Sequence, residues 1–297
     1  MKLKKAWYIL LYHDVNYEVN PLINGIGGTI SPDIFEDQMK TVNKLGDLVS
    51  VDEGLKMLLK NKIKPPIISI WFDDGLIGVR KNAYDIIKPY GINPALSISS
   101  KFMLREKMFW RFMTSFISNT DYLRVLRSRL RKYGYKNEDK LLDFTLNHFN
   151  DDILYEIQNL YEQICPEFIQ KDNFRVFDDL NGITYLKDQG WIIANHSASH
   201  YPIGENSYHE KFFEEFNECD QIINRLLNID SRYWVVPFGR QHKLSSKVFD
   251  YHKQKNKYLV LVGNKLNKNI NDMCINRINI PTHLDGAEFR RFLSRLN

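Results

Sequence analysis

Disulfide chemistry has little to work with in this 297-residue chain, which holds three cysteines, Cys165, Cys219 and Cys274. They are odd in number and far apart, which argues against a disulfide framework and for a reducing compartment. Long apolar runs are also missing. The N-terminal one, residues 6–12, falls well short of the roughly 20 apolar residues a spanning helix needs. It follows a basic start like that of a signal peptide, yet it ends in His13-Asp14 without a small-residue cleavage site. It reads as a buried first strand. A strong excess of either charge is absent as well. Lys+Arg 41 against Asp+Glu 36 gives +5, with a pI near 8.8. That balance excludes an argument for nucleic acid but admits an anionic substrate or membrane headgroups. Internal repeats and low-complexity tracts are absent too. The expectation is a soluble, cytoplasmic protein with no membrane span, either free or peripheral at the inner membrane.

What is present is a globular composition, 43% hydrophobic and 26% charged. The length suits two ordinary domains or one α/β barrel. Apolar runs at 7–11, 67–72, 94–98, 191–194, 233–236, 257–262 and 277–280 read as strands, with 49–51 as a short one. Amphipathic stretches at 31–45, 79–88, 180–187, 208–227 and 246–252, and one after Asp285, read as helices between them. A further helix, capped by Asp52, runs to about residue 60. Repeated strand–helix units with strands buried on both faces predict a parallel sheet or barrel. Residues 104–178 break this rhythm with helical periodicity alone, and read as an insertion of three or four helices. The chain is therefore expected to be a single domain, 1–297, carrying a helical insertion. The basic stretch Arg124–Lys132 within it either faces an anionic substrate or is a solvated surface.

Two motifs carry chemistry. Trp71-Phe72-Asp73-Asp74-Gly75 ends the most apolar strand. Adjacent carboxylates oppose joint ionisation, so a metal on one would free the other to act as a base. Asp-Asp-Gly also suits a plain tight turn. Asn195-His196-Ser197-Ala198-Ser199-His200 likewise follows a buried strand, and His at i and i+4 suits a divalent cation. Ligand sites in parallel α/β folds gather at the C-terminal ends of strands. Asp74, His196 and His200 are thus candidate ligands, with Asp73 beside them.

On these two motifs the sequence resembles the polysaccharide deacetylases, the carbohydrate esterase family 4 enzymes that share the NodB homology domain. Members carry Thr-Phe-Asp-Asp-Gly and His-Ser/Thr-x-x-His; here Trp71 stands in place of the Thr. The resemblance implies a distorted (β/α) barrel of about seven parallel strands. It implies Asp73 as general base and Asp74, His196 and His200 as ligands of a divalent metal, zinc first, with cobalt, nickel or manganese as alternatives. Tyr233 to Gly239 resembles the family's Arg-x-Pro-Tyr segment, with Pro237, Phe238 and Gly239 on the oxyanion side and Val235 at the Arg position. Arg277 is the first candidate to replace that Arg as tether of the base; Arg232 and Arg240 are others, and all three also suit a surface. Leu11-Tyr12-His13-Asp14-Val15 resembles the Tyr-His start of the branch that deacetylates poly-N-acetylglucosamine, which makes His13 the candidate general acid ahead of His283. The implied activity is metal-dependent hydrolysis of an N-acetyl group on an amino sugar of a surface polysaccharide or its precursor. A phosphate-bearing precursor, nucleotide- or lipid-linked, is the expected partner, with the insertion as a specificity lid. The alternatives are a non-catalytic carbohydrate-binding protein on a deacetylase scaffold, or an O-acetyl esterase or deformylase using the same residues.

Overall fold

The computed structural model describes residues 2–18, 20–23, 25–166, 173–202, 209–239, 244–263 and 265–296. Seven parallel strands form its centre: β1 (Trp7–Tyr12), β2 (Ile67–Phe72), β3 (Ala95–Ile98), β4 (Ile192–Asn195), β5 (Tyr233–Val235), β6 (Tyr258–Val262) and β7 (Cys274–Asn279). Each pairs in parallel with the next, and β1 pairs with both β2 and β7, so the sheet closes. A two-residue strand, Asp47–Leu48, lies beside the start of β2 on the edge that β3 occupies further along, which distorts the ring. The fold is the (β/α) barrel with a helical insertion that the sequence predicts.

The strands read as unbroken apolar runs because both faces are covered. Alternate side chains point to opposite faces. Trp7, Ile9 and Leu11 of β1 join Trp71, Ala95, Ala194, Val235, Val260 and Ile275 in one cluster, drawn from all seven strands, which fills the barrel. Tyr8, Leu10 and Tyr12 point outward into a second cluster that the surrounding helices complete. Each such side chain contributes about 1.5–3 kcal/mol by leaving water. The interior indoles meet inward serines: Trp7 Nε1 donates to Ser69 Oγ at 2.9 Å and Trp71 Nε1 to Ser97 Oγ at 3.3 Å. Helix Val51–Leu59 closes the N-terminal end of the barrel with Val51, Leu55 and Leu58. It comes close because residue 54 is Gly; a Cβ there would fall 2.5 Å from the Trp7 indole.

The strand expected at 49–51 lies instead at 47–48, and the helix begins earlier than an Asp52 cap would allow. Ser50 and Glu53 form a reciprocal capping box that draws Val51 into the first turn, overriding its β-propensity. Between β3 and β4 stand helices Trp110–Ser118, Leu123–Leu130, Leu141–Asn147 and Asp151–Ile164. They pack around their own core of Phe112, Phe116, Leu126, Leu130, Ile153 and Ile157. No helix among the described residues is long and apolar enough to cross a membrane.

Candidate active site

The C-terminal ends of the strands surround a cavity of about 410 Å³ lined by His13, Asp73, Asp74, His196, His200, Phe238, Arg277 and His283. Asp73 follows β2, and its N–H donates to the Tyr12 carbonyl at 3.0 Å, extending the β1–β2 ladder by one step. The chain then turns through left-handed Asp74 (φ 70°) and Gly75 (φ 67°), so Asp-Asp-Gly is a tight turn and also part of the site. Asp73 Oδ1 accepts from Arg277 Nη1 at 2.5 Å and also from Ser97 Oγ. Arg277 is fully buried on β7, its guanidinium 5.2 Å from the Trp71 ring centroid. The Trp that replaces Thr therefore forms the floor under the base and its tether.

The second motif is held at almost every amide. His196 N donates to the Ile98 carbonyl, Ser197 N to Asn195 Oδ1, and Ala198 N to the Glu215 carbonyl. Ser199 N and Oγ both donate to the Glu215 carboxylate, at 2.7 and 2.8 Å. Such bonding sustains positive φ at Ser197 (66°) and His200 (52°), conformations that cost non-glycine residues free energy. His196 Nδ1 meets the Val235 carbonyl at 2.9 Å, which turns Nε2 toward the carboxylates. The His200 ring sits between Phe109 (4.5 Å) and Phe238 (4.9 Å).

Asp74 Oδ1 lies 3.5 Å from His196 Nε2 and 3.3 Å from His200 Nε2. Ligand atoms of the three residues all fall within 4.8 Å of one another. This donor set fits a divalent cation such as zinc. Asp74 Oδ1 is buried with no hydrogen-bond partner, a cost that a cation would remove. Burial pushes both carboxyls up, but the basic groups around them prevail. Arg277, His196 and His13 bring Asp73 below the ordinary range, and His196, His200 and His13 do the same for Asp74. Burial and the adjacent His196 push His200 down to about 3, so it is a neutral donor.

The remaining candidates separate by position. Arg232 is half exposed and faces Asp52, 3.5 Å away at the N-terminal end of the barrel, so it is not the tether. Arg240 lies outside the described residues. Val235, at the family's Arg position, turns its side chain into the barrel while its carbonyl orients His196. His13 and His283 both line the cavity. Phe238 lines it too, in a left-handed conformation (φ 62°), with Gly239 (φ 60°) behind it. A Cβ on Gly239 would fall 2.6 Å from Val262 N, so the turn is closed tightly against β6. Pro237 precedes them and is buried.

Sequence reasoning missed Glu215, Ser97 and Arg111. Glu215 and Ser97 support the motifs from beneath, and Arg111 lines the cavity from the helical segment. The basic stretch Arg124–Lys132 does not line it. Arg129 and Lys132 approach Glu156 of the neighbouring helix, at 3.6 and 2.7 Å.

The model of the polysaccharide deacetylase family matches residues 168–256, a span that includes both histidines and the 237–239 turn. The resemblance to the polysaccharide deacetylases holds. Among solved structures, the chain is similar to the Streptococcus pyogenes deacetylase PplD, solved in complex with acetate. The TM-score is 0.62 at 15% identity, over 97% of this chain and 98% of that one. It is similar to a de-N-acetylase from Aggregatibacter actinomycetemcomitans, with a TM-score of 0.61 at 16% identity over 96% and 99%. It is also similar to IcaB from Ammonifex degensii, at 0.60 and 13% identity over 98% of each chain. At such identities the likeness is one of fold. No curated protein sequence matches the chain significantly.

Proposed function

We propose that this chain is a metal-dependent hydrolase that removes the N-acetyl group from an amino sugar of a surface polysaccharide or its precursor. One observation carries the reading: a carboxylate and two imidazoles bring donor atoms within 4.8 Å of one another, beside a second carboxylate that is tethered and kept ionised. The family match and the shared fold of deacetylases, one of them described as a de-N-acetylase, support it.

Asp74, His196 and His200 would hold the metal. When bound, it supplies Lewis acidity, polarising the amide carbonyl and making water a better nucleophile. Asp73 Oδ1 is taken by Arg277 and Ser97, so Oδ2 is the atom that accepts the proton of the attacking water. Arg277 fixes the carboxylate and keeps it a base. The backbone N–H of Phe238 donates to the developing oxyanion, within a turn that Pro237 and Gly239 hold. His13 gives a proton to the leaving amine as the carbon–nitrogen bond breaks; acetate and the free amino sugar depart. His283 reaches the same cavity and is the second choice for this role.

Two departures from the family pattern motivate the non-catalytic binder, Val235 at the Arg position and Trp71 in place of Thr; Arg277 answers the first by reaching Asp73 from β7. The test combines elemental analysis with acetate release from N-acetylglucosamine oligomers and O-acetylated glycans, and formate release from formylated amines. Zinc-dependent acetate release from the N-acetyl substrate alone is expected. Saturable oligosaccharide binding by zinc-loaded protein without turnover would mean a binding module. Turnover confined to the other substrates would mean an esterase or deformylase.

A further inference from the structure

We propose that Arg80 and Asp178 are positioning residues for the metal ligand Asp74: this ion pair fastens the returning end of the helical insertion to the Asp73-Asp74-Gly75 turn. The inference rests on the metal-centre reading of the site and extends it to the residues that hold the first motif in place.

The turn needs support. Asp74 and Gly75 are both left-handed, and that conformation costs a non-glycine residue free energy unless its surroundings fix it. Before the turn, Asp73 N is bonded to the Tyr12 carbonyl. After it, the fixing group comes from the far end of the insertion. Asp178 N donates to the Gly75 carbonyl at 2.8 Å, and Leu76 pairs with Phe177 as an antiparallel bridge. Leu76 is buried in the same cluster as Phe102, Phe112 and Phe177. The segment that ends the insertion is thus paired with the segment that begins just after the ligand.

Side chains lock this pairing. Asp178 is 2% exposed. Its Oδ2 accepts from Arg80 Nε at 2.6 Å and its Oδ1 from Arg80 Nη2 at 2.9 Å, a bidentate pair. Oδ1 also accepts from Asp179 N, which precedes helix Leu180–Asp188, and a helix N-terminus favours a carboxylate. Residue 182, in the first turn of that helix, is Gly; a Cβ there would collide with Asp178 Oδ1. Arg80 stands on Val79–Ala83, a wide helical turn in which Tyr84 N bonds to the Val79 carbonyl five residues back. Turns of this kind recur at functional sites. Loss of Arg80 would leave a buried carboxylate uncompensated. The segment that carries Asp178 N would then shift from Gly75, and Asp74 would lose its setting. A neighbouring pair, Arg105 with Asp179 at 3.4 Å, is about half exposed at both ends and gives the contrast.

The test reads the metal site without turnover. It measures zinc affinity by chelator competition and the absorption spectrum of cobalt-substituted protein, which reports the geometry of the ligand set. Arg80→Gln is expected to weaken zinc affinity about tenfold and to shift the cobalt bands. Arg80→Lys, which keeps the charge, should restore part of the affinity and of the spectrum. Arg80→Gln combined with Asp178→Asn should lose no more than the larger single loss, as expected for one coupled pair. Arg80 is partly exposed, and its two variants test the pair by themselves should Asp178→Asn fail to fold. Arg105→Gln should leave affinity and spectrum unchanged. A lower melting temperature in Arg80→Gln with wild-type affinity and spectrum would make the pair purely structural and overturn the proposal. An equal loss in Arg105→Gln would overturn it too. Wild-type protein that binds neither zinc nor cobalt overturns the metal-centre reading and this proposal with it. The expected pattern without deacetylation of any substrate would uphold the proposal and overturn the catalytic reading alone.

Discussion

The mouth of the barrel and the helical segment above it obey different rules. At the mouth, charged groups are buried, and those that support the two motifs are fixed by paired bonds. Asp73 Oδ1 takes two donors, and Ser199 gives two bonds to Glu215. In the helical segment the buried contacts are almost wholly apolar, with Phe112 stacked on Phe177 and tilted against Phe109, and the ion pairs lie outside. Exposed pairs of that kind contribute at most about 1 kcal/mol. The difference shows what each part can do. Bond-making groups need position, which buried hydrogen bonds give; selection needs a shaped wall, which an apolar cluster gives.

The largest effect belongs to the mouth. Asp73→Asn should lower kcat by about 10³, as expected for loss of a general base, while elemental analysis finds the metal retained. His200→Ala should lose the metal itself. If Asp73→Asn stays active, the base lies elsewhere. A smaller effect tests whether the bonds beneath the motif matter. Glu215→Gln should weaken metal affinity about 10- to 100-fold in a chelator competition, because it loosens the loop between His196 and His200. Glu218→Gln, three residues on and paired with Lys101 at the surface, should leave the affinity unmoved. Equal behaviour of the two variants would erase the contrast between buried clamp and surface pair.

How far the sequence carries follows the same division. The strands were legible because burial on both faces writes an apolar run into the chain, and Asp73, Asp74, His196 and His200 were legible because polar residues end those runs. Arg277 was one of three candidates; only closure of the barrel, β7 against β1, brings it to Asp73. Glu215 left no signal. It lies in helix His209–Leu227 among other acids, and its role depends on a loop 16 residues earlier in the chain. The paired strands Asp14–Val15 and Thr29–Ile30 were missed because two residues show no period.

That small sheet gives a test of intermediate size. Burial pushes the Asp14 carboxyl up to about 6, against 3.8 for an ordinary Asp, with only Thr29 and a backbone amide opposing. Between about pH 4 and pH 6 the native state therefore holds a proton that the unfolded chain releases. Stability from this group is complete below pH 4 and is lost as pH rises through 6, on the order of 3 kcal/mol in all, of which about 2 kcal/mol goes between pH 4.5 and 7. Denaturant titrations at pH 4.5 and 7 should show this decline, and Asp14→Asn should flatten it. An unchanged slope in the variant would assign the decline to other groups. The residues between the two strands include Ile23, Ile26 and Gly27 on the cavity wall, so the decline reports on the mouth and not on the helical segment.

The smallest effect is expected on the outer face of the helical segment. Arg124 and Arg131 are exposed, and neither lines the cavity. Removing both lowers the net charge by two but leaves the wall intact. At 0.15 M salt the Debye length is about 8 Å, so such charges are largely screened from a ligand inside. Arg124→Ala with Arg131→Ala should therefore change KM for any substrate less than about twofold under those conditions. At 10 mM salt screening extends to about 30 Å, and a modest rise in KM for an anionic sugar should appear. A tenfold rise at 0.15 M would mean that the basic stretch touches substrate, and would turn the outer face of the segment into part of the site.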